Sequence, residues 1–157
     1  MITLKPFKTK ALLFSLFFFS SVGAIAQDET TDTKKLGRFG TIELNIKKRT
    51  TKTVSEVYII GFFQNAKYSH ITDIGGFVLS DTATANKFCN DLLQAIELAG
   101  QDGKSHKWSE RSYAIELHDF SKRIYIEDPS GEQYTTISAN QAIGLIDEIK
   151  RVKAAIK

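Results

Sequence analysis

The sequence feature that most constrains this fold is a strand, a capping residue and an amphipathic helix in direct succession. Residues 77–79 are apolar, Asp81 is a favourable helix N-cap, and the residues that follow are apolar at three- and four-residue spacing. The apolar positions of this helix are Ala85, Phe88, Cys89, Leu92, Ala95, Ile96 and Ala99. Such a stripe must face a core, so residues 75–99 predict a strand followed by a helix packed on one side.

The same pattern returns near the C-terminus. A short strand pattern over residues 134–137 leads into Ser138, with Gln141 three residues later as a capping box, and then into a second helix. Superimposing Asp81 on Ser138 places the apolar positions of the two helices on one another: Ala85 on Ala142, Phe88 on Leu145, Cys89 on Ile146, Leu92 on Ile149, Ala95 on Val152 and Ala99 on Ile156. Any two amphipathic helices can be aligned in this way. The match therefore leaves open whether residues 39–157 are one undivided domain or two tandem units, 39–100 and 106–157.

Residues 1–26 have the pattern of a secretory signal peptide. Three lysines precede an apolar stretch over residues 11–19, and Ala24 and Ala26 provide the small residues at positions −3 and −1 of a cleavage site. The alternative is a membrane anchor, but the apolar run is shorter than the ~20 residues that span a bilayer. We therefore expect an exported protein, periplasmic or secreted, with no membrane segment after cleavage.

The charge of the mature chain argues against a nucleic-acid partner. The signal peptide contains three of the 21 basic residues and none of the 18 acidic ones, so its removal leaves a formal net charge of zero. Nucleic-acid-binding domains usually carry a positive excess on one face. The single cysteine, Cys89, cannot form an internal disulfide. Its place on the helical stripe predicts a buried thiol, and the alternative is an intermolecular disulfide or a reactive thiol.

The mature chain predicts an α+β fold. Residues 27–38 are polar and are expected to form a flexible leader. The sequence then predicts an antiparallel sheet of about six strands in β-β-β-α-β-β-β-α order, with two helices packed on one face. The expected strands cover residues 39–47, 57–63, 70–79, 113–117, 123–127 and 133–137, with a type I turn over residues 128–131.

The strand over residues 57–63 is apolar on both faces, which helices on one side of a sheet cannot cover. Gly61 in this strand indicates a bulge or a close backbone approach, and the glycines at 75 and 76 indicate a bulge in the next strand. If Tyr58 and Phe62 face away from the helices, three outcomes are open: the sheet curls over them, a second copy covers them in a homodimer, or an unknown protein or small ligand binds there. Tyr58 and Phe62 are therefore candidate contact residues.

A second candidate contact site lies at the end of the irregular segment over residues 100–110. His106, Trp108 and Arg111 place an aromatic ring among cationic groups, which is an arrangement that stacks on sugars, bases or peptides. The alternative is that Trp108 closes one end of the core.

No catalytic or metal-binding motif is present in the sequence, so no catalytic residue, metal or cofactor is predicted. The three histidines do not stand at ligand spacing, and neighbouring His118 and Asp119 point to opposite faces of a strand. Two hypotheses remain. The first is a small exported, non-enzymatic binding or assembly module. The second is a small exported hydrolase or metal-dependent enzyme whose site is assembled from dispersed residues.

Overall fold

The computed structural model describes residues 29–66, 74–101 and 105–156. The strands are β1 (Thr30–Phe39), β2 (Ile42–Thr50), β3 (Ser55–Gln64), β4 (Ile74–Leu79), β5 (His106–Glu110), β6 (Tyr113–Leu117), β7 (Ile124–Glu127) and β8 (Tyr134–Ile137). The helices are α1 (Thr82–Leu98) and α2 (Ala139–Val152), and one 3₁₀ turn, Lys153–Ala155, follows α2. The predicted signal peptide, and the part of the predicted third strand that contains His70, lie outside the described residues.

The fold is α+β, as predicted, but the strands form two sheets and not one. The first sheet has the order β1-β2-β3-β4 and the second has the order β5-β6-β7-β8. All neighbouring strands are antiparallel. The prediction of about six strands was therefore low by two. Each half of the described chain consists of four strands in a meander followed by one helix.

Strand β1 replaces most of the leader predicted over residues 27–38. It pairs with β2 from Thr30 opposite Thr50 to Phe39 opposite Ile42, with a bulge between Lys35 and Gly37. The side chains of residues 30–35 are all exposed. An edge strand forms through its backbone hydrogen bonds, so it needs no apolar face, and apolar patterning does not detect it.

Strand β5 occupies a stretch that the sequence predicts as irregular. Its five residues pair with β6, from His106 opposite Leu117 to Glu110 opposite Tyr113. Trp108 is its one large apolar side chain, and it packs against the core. As with β1, backbone pairing at a sheet edge defines this strand.

Two glycines in the first sheet lie beneath phenylalanine rings of the neighbouring strand. A Cβ atom on Gly61 would lie 2.2 Å from Cζ of Phe77, and a Cβ atom on Gly75 would lie 2.4 Å from Cε2 of Phe63. Both glycines pair in regular register, Gly61 with Phe77 and Gly75 with Phe63. Of the two alternatives predicted for Gly61, the close approach is confirmed, and the bulge predicted at positions 75 and 76 is wrong.

Both helices begin at the predicted caps. The Asp81 carboxylate accepts a hydrogen bond from the Thr84 amide at 2.7 Å. Ser138 and Gln141 form a capping box, in which the Ser138 amide donates to the Gln141 side chain at 2.9 Å. The capped backbone amides lower the pKa of Asp81, which agrees with its position at a helix N-terminus.

One core joins both sheets and both helices. Its buried side chains come from β2, β3, β4 and α1 in the first half, and from β6, β7, β8 and α2 in the second. Helix α1 contacts β6 as well as β4, and α2 contacts β1. The ring of Phe39 on β1 lies against Gly144 of α2. Each helix therefore packs on a strand of the other half, and the two halves are interlocked.

Candidate binding surface

The outer face of the first sheet, which points away from the core, exposes large apolar side chains on two adjacent strands. Phe62 on β3 is 42% exposed, and Ile74 and Val78 on β4 are 65% and 39% exposed. We call this group, with the half-buried Tyr58, the apolar strip. The predicted contact residues Tyr58 and Phe62 are both members of it.

Strand alternation produces the strip. Along β3, Ile59, Gly61 and Phe63 point into the core, so Tyr58, Ile60 and Phe62 point outward. Phe62 and Val78 are exposed on this face, whereas the outward-pointing Ile60 and Asn45 are 8% and 5% exposed, so the face is covered at its centre and open around Phe62 and Val78.

Gly76 gives the strip a notch. It pairs with Phe62 and stands between Ile74 and Val78 on the outer face of β4, where it presents no side chain. A Cβ atom there would lie 2.7 Å from the backbone oxygen of Gly61, so a larger residue is excluded by the backbone itself. The notch is therefore a fixed property of the strand pairing.

A depression of about 590 Å³ lies at one end of the strip. Its apolar lining comes from Phe62, Phe63 and Ile74, and its polar lining from Arg38, Thr41, Glu43 and Gln64. Arg38 pairs with Glu43 across β1 and β2, and Glu43 pairs with Phe62 across β2 and β3, so the charged groups stand directly beside the exposed ring.

The charges at this depression do not cancel. Lys35 forms an ion pair with Glu43, and its hydrogen bond lowers the pKa of that carboxyl, which keeps Glu43 ionised at neutral pH. Arg38 is exposed and makes no hydrogen bond or ion pair with the residues that the structure describes. Two cations and one anion leave one positive charge beside the apolar floor.

At the other end of the strip, Tyr58 lies near a cation. The Lys47 ammonium is 6.0 Å from the centroid of the Tyr58 ring. A second depression, of about 560 Å³, is lined there by Tyr58 together with Lys48, Ser55, Glu56, Val57, Ser80 and Ala155. The strip thus runs between two concavities, and only the first contains an exposed phenylalanine.

The other predicted contact residues lie on the second sheet and are not brought together with Tyr58 and Phe62. The Trp108 indole N–H donates to Gln94 of α1 at 2.9 Å, and the ring is packed against the core. His106 stacks on Trp108 with ring centroids 5.9 Å apart. Arg111 is exposed in the turn between β5 and β6. Of the two predicted roles of Trp108, a contact site or a side chain that closes one end of the core, the geometry favours the second.

Sequence reasoning missed a cluster of charged and aromatic side chains on the outer face of the second sheet. The Lys107 ammonium lies 2.7 Å from Glu127 and 3.7 Å from Glu116. The Glu127 hydrogen bond raises the pKa of Lys107. His118 lies 4.0 Å from Glu116, and its ring meets Tyr125 edge-on. The period-two spacing of Glu116 and His118 is the signal that places these two side chains on one face.

Sequence reasoning also missed a buried carboxylate. Asp91 on α1 is 3% exposed and accepts hydrogen bonds from the Tyr113 hydroxyl at 2.9 Å and from the Lys87 ammonium at 3.0 Å. Lys87 also lies 3.2 Å from Glu110. Burial and the adjacent carboxylate raise the pKa of Tyr113, so it remains a donor. The group is fully paired and joins α1 to β5 and β6.

Over residues 29–66, 74–101 and 105–156, no three His, Cys, Asp or Glu side chains are grouped so that they could hold a metal ion. Within the same ranges, no helix is long and apolar enough to cross a bilayer. No protein-family model matches the chain, and a search of curated proteins finds no match.

Proposed function

We propose that this protein is a small exported, non-enzymatic binding module and that the outer face of the first sheet is its binding surface. The observation that carries the proposal is the simultaneous exposure of Phe62, Ile74 and Val78 on paired strands. Adjacent exposed apolar side chains are uncommon on soluble monomers unless they contact a partner.

The interlocked core supports this assignment. Each helix packs on a strand of the other half. The first sheet is therefore held by α1, which contacts β4, and by α2, which contacts β1. On the core side of this sheet, Phe77 packs over Gly61 and Phe63 packs over Gly75, which holds β3 and β4 close together. Because the inner face of this sheet is part of the shared core, a partner would meet a surface held in place by that packing.

The proposed export is consistent with this role. We propose that residues 1–26 are removed and that the mature chain starts at Gln27, three residues before β1. The shared strand and helix order of the two halves also supports the proposal of two tandem units.

An enzyme with a site of dispersed residues is less well supported. In the cluster of titratable side chains on the second sheet, Glu116 and Glu127 both contact Lys107. Carboxylates engaged in this way are poor candidates for proton transfer.

The test is a capture experiment on the envelope fraction with the mature protein as bait, analysed by mass spectrometry of proteins and of extracted small molecules. The bait variant Phe62→Ser/Val78→Ser removes apolar area from the strip. The matched control is Leu93→Ser/Ile143→Ser, which changes two similarly exposed residues on the helices. The proposal requires a molecule that binds wild type and control but not the strip variant. Identical captures from all three baits contradict it.

A second copy of the chain is tested separately. Sedimentation of wild type over a range of concentrations reports self-association, and Tyr58→Ser/Phe62→Ser removes apolar area from the same face. A dimer that the variant loses would identify the partner as another copy.

A further inference from the structure

We propose that the depression at the Arg38 end of the strip binds the carboxylate of an amphipathic monocarboxylate, such as a fatty acid, whose apolar chain lies along the strip. This inference rests on the proposed function, because it assigns a ligand class to the same face.

The apolar part of the ligand is selected by the floor of the depression and the notch beyond it. Phe62 and Ile74 line the depression, and Gly76 presents no side chain between Ile74 and Val78 on β4. Val78 is also exposed on this face, whereas Ile60, which pairs with it, is only 8% exposed. The surface open to a ligand chain is therefore formed by Phe62, Ile74 and Val78, and a short alkyl chain can lie against these three side chains.

The charged end of the ligand is selected by Arg38. Lys35 and Arg38 both interact with the single carboxylate of Glu43, so the three groups together carry one net positive charge beside the apolar floor. A guanidinium binds a carboxylate through two parallel hydrogen bonds. Gln64 and Thr41, which also line the depression, provide further polar groups at the same end. An anion is therefore favoured over a neutral or cationic head group.

The size of the depression is consistent with a small ligand. Its volume of about 590 Å³ lies within the range of small-molecule sites, which are mostly apolar with a few placed polar groups. The lining is more mixed, because it combines three large apolar residues with four polar or charged ones, of which Arg38 is the cation.

The experiment titrates the ¹⁵N-labelled mature protein with octanoate and, separately, with 1-octanol, and follows backbone amide shifts. The two probes share one chain and differ in the charge of the head group. Arg38→Gln removes the proposed carboxylate partner. Arg123→Gln is the matched control, because Arg123 is also exposed but precedes β7 of the second sheet.

We expect octanoate to shift amides around Phe62, Gln64 and Ile74 in wild type and in Arg123→Gln. Arg38→Gln should weaken octanoate binding about fivefold, as an exposed ion pair allows, and leave 1-octanol binding unchanged. The inference is overturned if octanoate does not bind wild type, if Arg38→Gln weakens both probes equally, or if both arginine variants behave alike. If octanoate fails while the strip variant still loses its captured partner, this inference falls and the proposed function stands.

Discussion

The hydroxyl of Tyr113 donates a 2.9 Å hydrogen bond to the carboxylate of Asp91, and this contact joins β6 of the second half to α1 of the first. Both residues are buried. The same carboxylate also binds Lys87, so a charge that would be costly inside the protein is stabilised by two donors. This polar contact lies beside aromatic packing, since Phe88 meets the ring of Tyr113 edge-on at 4.8 Å.

Tyr113→Phe is predicted to destabilise the protein by about 1.5 to 3 kcal/mol, because a buried carboxylate loses one of its donors. Urea unfolding measures the change. Tyr125→Phe is the control, since Tyr125 lies on the outer face of the second sheet and its loss of a hydroxyl should change stability by less than about 0.5 kcal/mol. Equal effects of the two substitutions would argue against a structural role for the Asp91 contact.

Truncation of the two adjacent phenylalanines on β3 should destabilise the protein to very different extents. Phe63→Ala is predicted to cost about 3 to 5 kcal/mol, because Phe63 is 2% exposed and fills the core above Gly75. Phe62→Ala should cost less than about 1 kcal/mol, because its ring is already 42% exposed. Chemical unfolding of the two variants checks the prediction. A large loss at position 62 would mean that the strip is part of the core and not a binding surface.

Cys89 should react slowly with thiol reagents in the folded protein. It is 2% exposed, and burial raises its pKa to about 11, so little thiolate is present at neutral pH. Labelling at pH 8 is therefore expected to be much slower in native protein than in urea-unfolded protein. Similar rates in the two states would place Cys89 at the surface and reopen the prediction of a reactive thiol.

Asp81 should make the free energy of unfolding depend on pH in the acidic range. Its pKa is lowered in the folded protein by the Thr84 amide, so its contribution is present above the unfolded pKa and is lost as the pH falls through the lower, folded value. Asp81→Asn retains a capping oxygen and removes the charge. The stability of wild type relative to this variant should therefore decline below about pH 4. A pH-independent difference between the two proteins would contradict the assignment.

The mature protein is predicted to begin at Gln27. Intact-mass measurement of protein isolated from the envelope fraction tests this directly. A mass that still includes residues 1–26 would restore the membrane-anchor interpretation.

The features that the sequence predicted correctly are local ones. The caps at Asp81 and Ser138 depend on side chains within one helical turn, and the buried stripe of α1 depends on spacing along one helix. Strands β1 and β5 were missed because their positions are determined by backbone pairing at sheet edges, which leaves little trace in polar sequences.

The candidate surface was only partly predictable. The apolar residues on both faces of β3 indicated that helices on one side would leave one face uncovered. Which face is uncovered depends on where the helices pack, and the sequence of β3 alone does not determine this. Asp91 could have been suspected, because it lies three residues after Phe88 and four before Ala95 on the apolar stripe. Its partner Tyr113 comes from β6 of the second sheet, and no local pattern links the two.

The ring of Phe77 above Gly61 also limits how this protein can diverge. A side chain at position 61 would collide with the ring, and a smaller residue at position 77 would leave a void over the glycine. Neither site can change first without loss of stability, so the two positions should be inherited as a pair. In related sequences, a residue larger than glycine at position 61 should occur only where position 77 has become small.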